Sequence, residues 1–317
     1  MASIPCVDMA RWIVPATRTD FVRELGDGLE QFGFVMVTSH GVPPELLDLA
    51  YARAREVFAL PLAAKARYET PGDGRQRGYT GLGVEHAKDT LLPDLKEFWH
   101  LGRDLGPGHP LHQSGDVPPN IFPAEVPAFQ PAMSRLFREL EAFSGRLLEA
   151  VESYLELEPG YFAHLTRDGN SVLRVIHYPD VGAGAQPGAV RAAPHEDINL
   201  MTVLPASTQP GLEVMTRDGR WLSVNPPPNV MICDTGDMMA LLTANRLPAT
   251  THRVVNPAVP DGGRLSMPFF LHPHPDALLA PMVPGFARAV RARDFFEERL
   301  RQIGVDSLVP GVAEVGE

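Results

Sequence analysis

The chain has 317 residues, of which 44% are hydrophobic and 21% charged, the profile of a globular protein with a substantial core. Its net charge of −11 excludes the basic face on which nucleic-acid binding depends, and its two cysteines, Cys6 and Cys233, exclude a disulfide framework or a cysteine-based zinc site. No apolar run reaches the ~18 residues of a membrane span, and Met1 to Asp8 has neither the basic nor the apolar region of a leader, so the expectation is a cytoplasmic protein with a small-molecule partner.

The first hundred residues read as mixed α and β. Phe21, Val22, Leu25, Leu29 and Phe32 recur at helical spacing over Thr19–Phe32, and the apolar run Phe34–Thr38 follows as a strand. Pro43 and Pro44 open a second helical stretch that reaches Leu60. Prolines crowd the segment from Arg103 to Phe129, which predicts a loop. A long helix is predicted from about Ala132 to Leu155, its apolar residues alternating at three- and four-residue intervals.

After Ser171 the pattern shortens to strand length. The predicted strands are Val172–Tyr178, Leu200–Leu204, Leu212–Thr216, Trp221–Val224, Val230–Cys233, Met238–Leu242, Thr251–Val255 and Leu265–Leu271, with no helix between them. Arg217-Asp218-Gly219-Arg220 is a hairpin turn signal. Asp234-Thr235-Gly236 has no second copy, so it reads as a β-turn rather than an aspartic-protease loop. Short strands at near-regular spacing predict a mainly β fold, a sandwich or barrel with flanking helices. A final helix is predicted over Ala292–Ile303.

Walker A, GxGxxG, HExxH, GxSxG and CxxC patterns are absent, which leaves histidine paired with carboxylate. In Pro194-His195-Glu196-Asp197-Ile198 an extended chain puts His195 and Asp197 on one face and Glu196 on the other. About one His-x-acid match is expected by chance in a chain of this composition, and His274-Pro275-Asp276, in a proline-flanked loop, is a decoy. An isolated match is a hydrogen-bonded core pair. His252, on an apolar strand 55 residues after Asp197, changes that reading. Remote strands become neighbours in a barrel, and two imidazoles with one carboxylate on one face suit non-haem Fe(II), with coordination positions left open. Further on, Arg264-Leu265-Ser266 puts a guanidinium and a hydroxyl on one strand face, a receptor for a carboxylate.

In this order the residues resemble the iron(II)/2-oxoglutarate-dependent dioxygenases of the isopenicillin N synthase-like family. The similarity runs along nearly the whole chain. It includes Ile4-Pro5 with Asp8, Phe32 to Val37 leading into His40-Gly41-Val42, and Phe58-Ala59-Leu60-Pro61 with Lys65. Arg77-Gly78-Tyr79 and Asp94-Leu95-Lys96-Glu97 extend it. The resemblance implies a double-stranded β-helix, or jelly-roll, core within a single oxygenase domain. Its parts would be an N-terminal α/β region over about 1–105, a supporting helix over about 130–158, the core with the metal site over about 170–275, and a C-terminal helix over about 290–305.

The resemblance further implies His195, Asp197 and His252 as Fe(II) ligands, Arg264 and Ser266 as the grip on the distal carboxylate of 2-oxoglutarate, and Tyr178 as another cosubstrate contact. The family's Asn two residues before that tyrosine is Ile176 here, so contacts at the keto-acid end are expected to differ. The implied reaction is oxidation, chiefly hydroxylation, of an unactivated C–H bond in a small molecule of secondary metabolism. Oxygen is the oxidant, and succinate and CO2 are released. Two other readings stay open on the residues alone. One is an Fe(II) oxidase or cyclase of the isopenicillin N synthase type that dispenses with 2-oxoglutarate; the other is a non-catalytic metal- or ligand-binding protein on the same fold.

Strand alternation points Arg174 and Ile176 the same way as Tyr178 and His177 the other way, which makes Arg174 a candidate receptor for an anionic substrate. Asn199 shares the parity of His195 and Asp197 and is a candidate for the mouth of the site. Phe270 and His272 share the parity of Arg264 and Ser266 and are candidates for the pocket wall. Cys233 reads as a small core residue. Candidate covers are the Asp94–Trp99 segment and the final helix, with Phe295 and Phe296.

Overall fold

Antiparallel pairing in the second half of the chain builds two facing sheets, seen in a computed structural model that describes residues 3–73, 75–85, 92–180 and 188–302. The major sheet runs Cys6–Asp8, Phe34–Thr38, Met231–Thr235, Met201–Pro205, Phe269–Leu271, Val172–Tyr178, Glu97–Gly102 and Gly78–Thr80, with Arg264–Ser266 also paired to Val172–Tyr178. The minor sheet runs Ala192–His195, His252–Val254, Leu212–Met215 and Trp221–Ser223. Cys6–Asp8 lies parallel to Phe34–Thr38, and the other pairs in both sheets are antiparallel. Together the sheets form the double-stranded β-helix core.

Alternation decides what each strand shows to each side. Along Val172–Tyr178, Leu173 and Val175 enter the main core, while Arg174, Ile176 and Tyr178 face a cavity between the sheets. Phe34, Leu204 and Ile232 meet Leu212 and Val214 across that gap, and Phe98 and Ile176 meet Ala192 and Val254. Helices cover the outer face of the major sheet. Phe129–Tyr154 buries Met133, Leu136, Phe137, Leu140 and Phe143 along one stripe, and Phe137 meets Phe269 edge-on with ring centroids 5.0 Å apart. Pro15–Phe32 and Pro44–Phe58 pack beside it. Each opens on a proline, whose fixed φ and missing N–H suit a first helical turn.

The first of these helices ends at Gly33, with φ 66° and its N–H on the Leu29 carbonyl at 2.8 Å. A Cβ there would lie 2.3 Å from Thr250 Oγ1. Glycine therefore lets the strand Phe34–Thr38 leave close beside the segment that leads into His252.

Several expectations need correction. Met238–Leu242 is not a strand: Asp237–Leu242 is a helix, with Met238, Met239 and Leu242 buried, and a five-residue apolar run is too short for periodicity to separate the two. Asp234 and Thr235 are not a free turn but the end of Met231–Thr235, and Gly236 precedes the helix. Leu265–Leu271 breaks at Met267-Pro268 into Arg264–Ser266 and Phe269–Leu271, where the Pro268 carbonyl accepts from the Arg174 N–H at 2.9 Å. Asp94–Trp99 is no cover, because it runs into Glu97–Gly102, a strand buried along its whole length that pairs Phe98 with Ile176 and His100 with Arg174. The proline-rich segment holds one short helix, Pro110–Gln113. The final helix is Ala292–Gln302, and residues 303–305 lie outside the described residues. The predicted hairpin is present, closed by the Thr216 N–H on the Arg220 carbonyl at 2.8 Å. Among the described residues no helix is long and apolar enough to cross a membrane.

Candidate active site

Register alone brings the two histidines together. His195 ends Ala192–His195, His252 begins His252–Val254, and the antiparallel pairing sets them opposite each other with ring centroids 4.4 Å apart. Asp197 then places Oδ1 3.9 Å from His195 Nε2 and 3.8 Å from His252 Nε2. One donor atom from each of the three lies within 4.8 Å of the others, and no other such group occurs among the described residues.

The backbone fixes how these donors point. His195 Nδ1 lies 2.8 Å from the Ala193 carbonyl and His252 Nδ1 3.1 Å from the Thr250 carbonyl. A carbonyl can only accept, so each Nδ1 carries the proton and each Nε2 keeps its lone pair for the centre. Desolvation, reinforced by His252, pushes His195 down to about 4, so its imidazole is neutral at pH 7, the form that binds metal. Asp197 Oδ2 accepts from the Thr202 hydroxyl, whose oxygen accepts from Asn199 Nδ2 at 2.9 Å. Phe34 packs edge-on against His252, centroids 5.4 Å apart. Two imidazole nitrogens and one free carboxylate oxygen on one side of a cavity fit a divalent first-row metal.

The three donors stand in the wall of a cavity that opens to solvent. Arg264, Ser266 and Tyr178 line it together with the three donors. Arg264 is only 2% exposed: Nε donates to the Gln209 carbonyl at 3.0 Å, Nη2 donates to Ser207 Oγ at 2.7 Å, and Nη1 has no partner among the described residues. Ser207 Oγ is in turn 3.1 Å from Ser266 Oγ, and the Arg264 guanidinium lies 5.0 Å over the Tyr178 ring. A buried guanidinium N–H without an acceptor is costly, and a carboxylate would satisfy it.

Arg174 and Phe270 line the same cavity, as alternation predicts. Asn199 does not. The chain turns over residues 196–200 instead of continuing as a strand, so parity with His195 fails and Asn199 lies buried behind Asp197, tethering Thr202. His272 is also outside the lining: it follows the end of Phe269–Leu271, its ring meets Phe296 edge-on at 5.2 Å, and both ring nitrogens lack a partner among the described residues. The final helix thus packs behind the site, and neither Phe295 nor Phe296 lines the cavity. At the decoy, His274 Nδ1 accepts from the Asp276 N–H and the Asp276 carboxylate pairs with Arg291 and Arg293, away from the cavity.

Three polar lining residues escape the sequence reading. Asp234 is 4% exposed, and burial, then the Asp197 charge, push its carboxyl well above the usual range. The available signal was Cys233, whose place in the core turns Asp234 toward the cavity. Lys96 is buried with its ammonium on Glu85 at 2.6 Å and on Asp94 at 2.8 Å. Thr202 lines the cavity through its hold on Asp197.

Residues 4–125 match the family described as non-haem dioxygenase in morphine synthesis N-terminal, and residues 169–273 match the 2OG-Fe(II) oxygenase superfamily. A solved structure from Caulobacter crescentus, described as a 2OG-Fe(II) oxygenase family protein, is 40% identical with a TM-score of 0.86, over 96% of this chain and 100% of that one. This chain is an Fe(II)/2-oxoglutarate-dependent oxygenase of the isopenicillin N synthase-like family. The oxygenase is also similar to the 2-oxoglutarate-Fe(II) type oxidoreductase hxnY of Emericella nidulans, 28% identical over 82% of this chain and 76% of that one. Proline hydroxylase buaE of Petromyces alliaceus is 30% identical over 77% of each chain. The oxygenase is therefore an oxidoreductase that works with Fe(II), 2-oxoglutarate and O2. The comparisons support this activity and not the oxidase without 2-oxoglutarate or the non-catalytic binder.

Proposed function

We propose that His195, Asp197 and His252 hold the Fe(II), that Arg264, Ser266 and Tyr178 hold 2-oxoglutarate, and that Arg174 and Phe270 face a small-molecule substrate. The observation that carries this reading is the orphaned, buried Nη1 of Arg264 in the same cavity as the three convergent donors. When bound, Fe(II) with 2-oxoglutarate and O2 supplies the oxidising power for an unactivated C–H bond, in the simplest case hydroxylation, with succinate and CO2 as coproducts.

The protein's own part is positional. The Ala193 and Thr250 carbonyls hold the imidazoles in one tautomer, and Thr202 occupies one oxygen of Asp197 so that the other faces the metal position. Arg264 Nη1 and the Ser266 hydroxyl donate to the distal carboxylate of the cosubstrate, which sets its reach toward that position. Ile176, Leu204, Leu212 and Val254 wall the cavity with apolar surface and limit the water beside the reacting carbon. The relative named as a proline hydroxylase supports a small-molecule substrate.

Anaerobic addition of 2-oxoglutarate to the Fe(II)-loaded protein tests the assignment. A visible charge-transfer band is expected in the wild type and is expected to vanish in Asp197→Ala. A band that survives in a folded Asp197→Ala variant would overturn the ligand set.

A further inference from the structure

We propose, resting on the assignment above, that the substrate is a small organic acid and that Arg174 takes its carboxylate at a station separate from that of Arg264. Arg174 and Tyr178 share one face of Val172–Tyr178, four residues apart, or about 13 Å along an extended strand. Arg264 is in register with Tyr178. Arg264, with its buried Nη1 lacking a partner among the described residues, is the assigned grip on the cosubstrate, which leaves Arg174 to another ligand.

Arg174 is held ready for one. Its Nε donates to His100 Nε2 at 2.6 Å, and the His100 ring is fixed in turn by Nδ1 at 2.9 Å from the Arg75 carbonyl. Nη1 donates to Glu85 at 3.1 Å, and the guanidinium carbon lies 4.4 Å from the Phe98 ring centroid and 5.4 Å from that of Phe270. Nη2 has no hydrogen-bond partner among the described residues, and the side chain stays 20% exposed at the cavity.

Lys96 joins through the same oxygen, Glu85 Oε2, at 2.6 Å, and through Asp94 at 2.8 Å, which leaves one ammonium hydrogen uncommitted. Glu85 and Asp94 are both engaged in holding cations, so the described residues at this end of the cavity offer a ligand donors rather than acceptors. His100 adds no charge, because burial and then Arg174 hold it neutral. A guanidinium edge beside an ammonium suits the two oxygens of a carboxylate. Ile176, Pro268 and Phe270 line the adjoining space, so the body of the acid is apolar.

The test uses three acids, benzoate, cinnamate and cyclohexanecarboxylate, each beside its primary amide, with Mn(II) in the metal position and saturating 2-oxoglutarate. Paramagnetic broadening of the probe's proton signals reports approach to the metal. In the wild type at least one acid is expected to bind tenfold or more tightly than its amide. Arg174→Gln is expected to erase that preference while its affinity for 2-oxoglutarate stays within twofold, and Arg174→Lys is expected to keep part of it. Acids that bind no better than their amides would overturn the inference, as would failure of every acid to bind. So would a large loss of 2-oxoglutarate affinity in Arg174→Gln, which would assign Arg174 to the cosubstrate. Failure of the wild type to bind Mn(II) and 2-oxoglutarate at all would instead strike the metal-site assignment and remove this inference with it.

Discussion

His195 and His252 face each other across one antiparallel strand pair, and each gives its Nδ1–H to the carbonyl two residues earlier in the chain. The same device used twice makes the orientation of both rings a property of the backbone. Two of the three donors are thus aligned by the strand pair together with the segment that leads into His252.

The third donor is the point to test first. Asp197→Ala removes the carboxylate whose Oδ1 faces both Nε2 atoms, and it should lower Fe(II) affinity by more than the ~10–100-fold typical for loss of an outer partner. Succinate formation should fall to background. Asp276→Ala, at the decoy, breaks only ion pairs to Arg291 and Arg293 and should leave succinate formation unchanged.

Thr202 is the outer partner itself. Thr202→Val keeps the shape but removes the hydroxyl on Asp197 Oδ2 and strands the Asn199 amide. Iron affinity should drop about 10–100-fold with little change in the circular dichroism spectrum. Thr202→Ser restores the hydroxyl and should recover most of the affinity; equal losses in both variants would point to packing instead.

Arg264→Gln should act on the cosubstrate rather than the metal. Losing one partner of a buried, hydrogen-bonded charge pair costs about 2–5 kcal/mol, so the KM for 2-oxoglutarate should rise on the order of 100-fold. Fe(II) affinity measured without 2-oxoglutarate should stay near that of wild type. A variant with normal KM would show that the orphaned Nη1 has another purpose.

His272 predicts a pH effect that has nothing to do with catalysis. Burial pushes it down to about 4, and neither ring nitrogen has a partner among the described residues. The unfolded chain, with a histidine value near 6.5, binds more protons in the interval between, so stability contributed by this neutral ring is complete above about 6.5 and is lost as pH falls toward 4. His272→Leu should flatten the fall in Tm between pH 6.5 and 4. An unchanged slope would mean that other groups drive the acid sensitivity.

The strand Val172–Tyr178 is legible from alternation alone, and so is the common facing of Arg174, Ile176 and Tyr178. His195, Asp197 and His252 are found by type and spacing because two short segments each supply donors at strand ends. What the sequence hides is where regular backbone stops. Asn199 has the right parity for the cavity and the wrong position, because residues 196–200 leave the strand. Asp237–Leu242 is apolar enough for either period over so short a span, and only packing decides for helix. Lys96 and Asp234 are hidden for another reason: charged residues are read as exposed, and their burial depends on partners or neighbours remote in sequence, Glu85, Asp94 and Asp197 among them.

Phe34 lies in the first matched segment, yet its ring flanks His252 and forms part of the cavity wall. A reaction chamber with one side supplied so early in the chain cannot be excised as its second half. A fragment starting near residue 169 would bare the hydrogen-bonding edge of Met231–Thr235 where Phe34–Thr38 now pairs, inviting aggregation, and would leave one imidazole open to solvent. Loop exchange between relatives can respect this boundary only by carrying that early strand along.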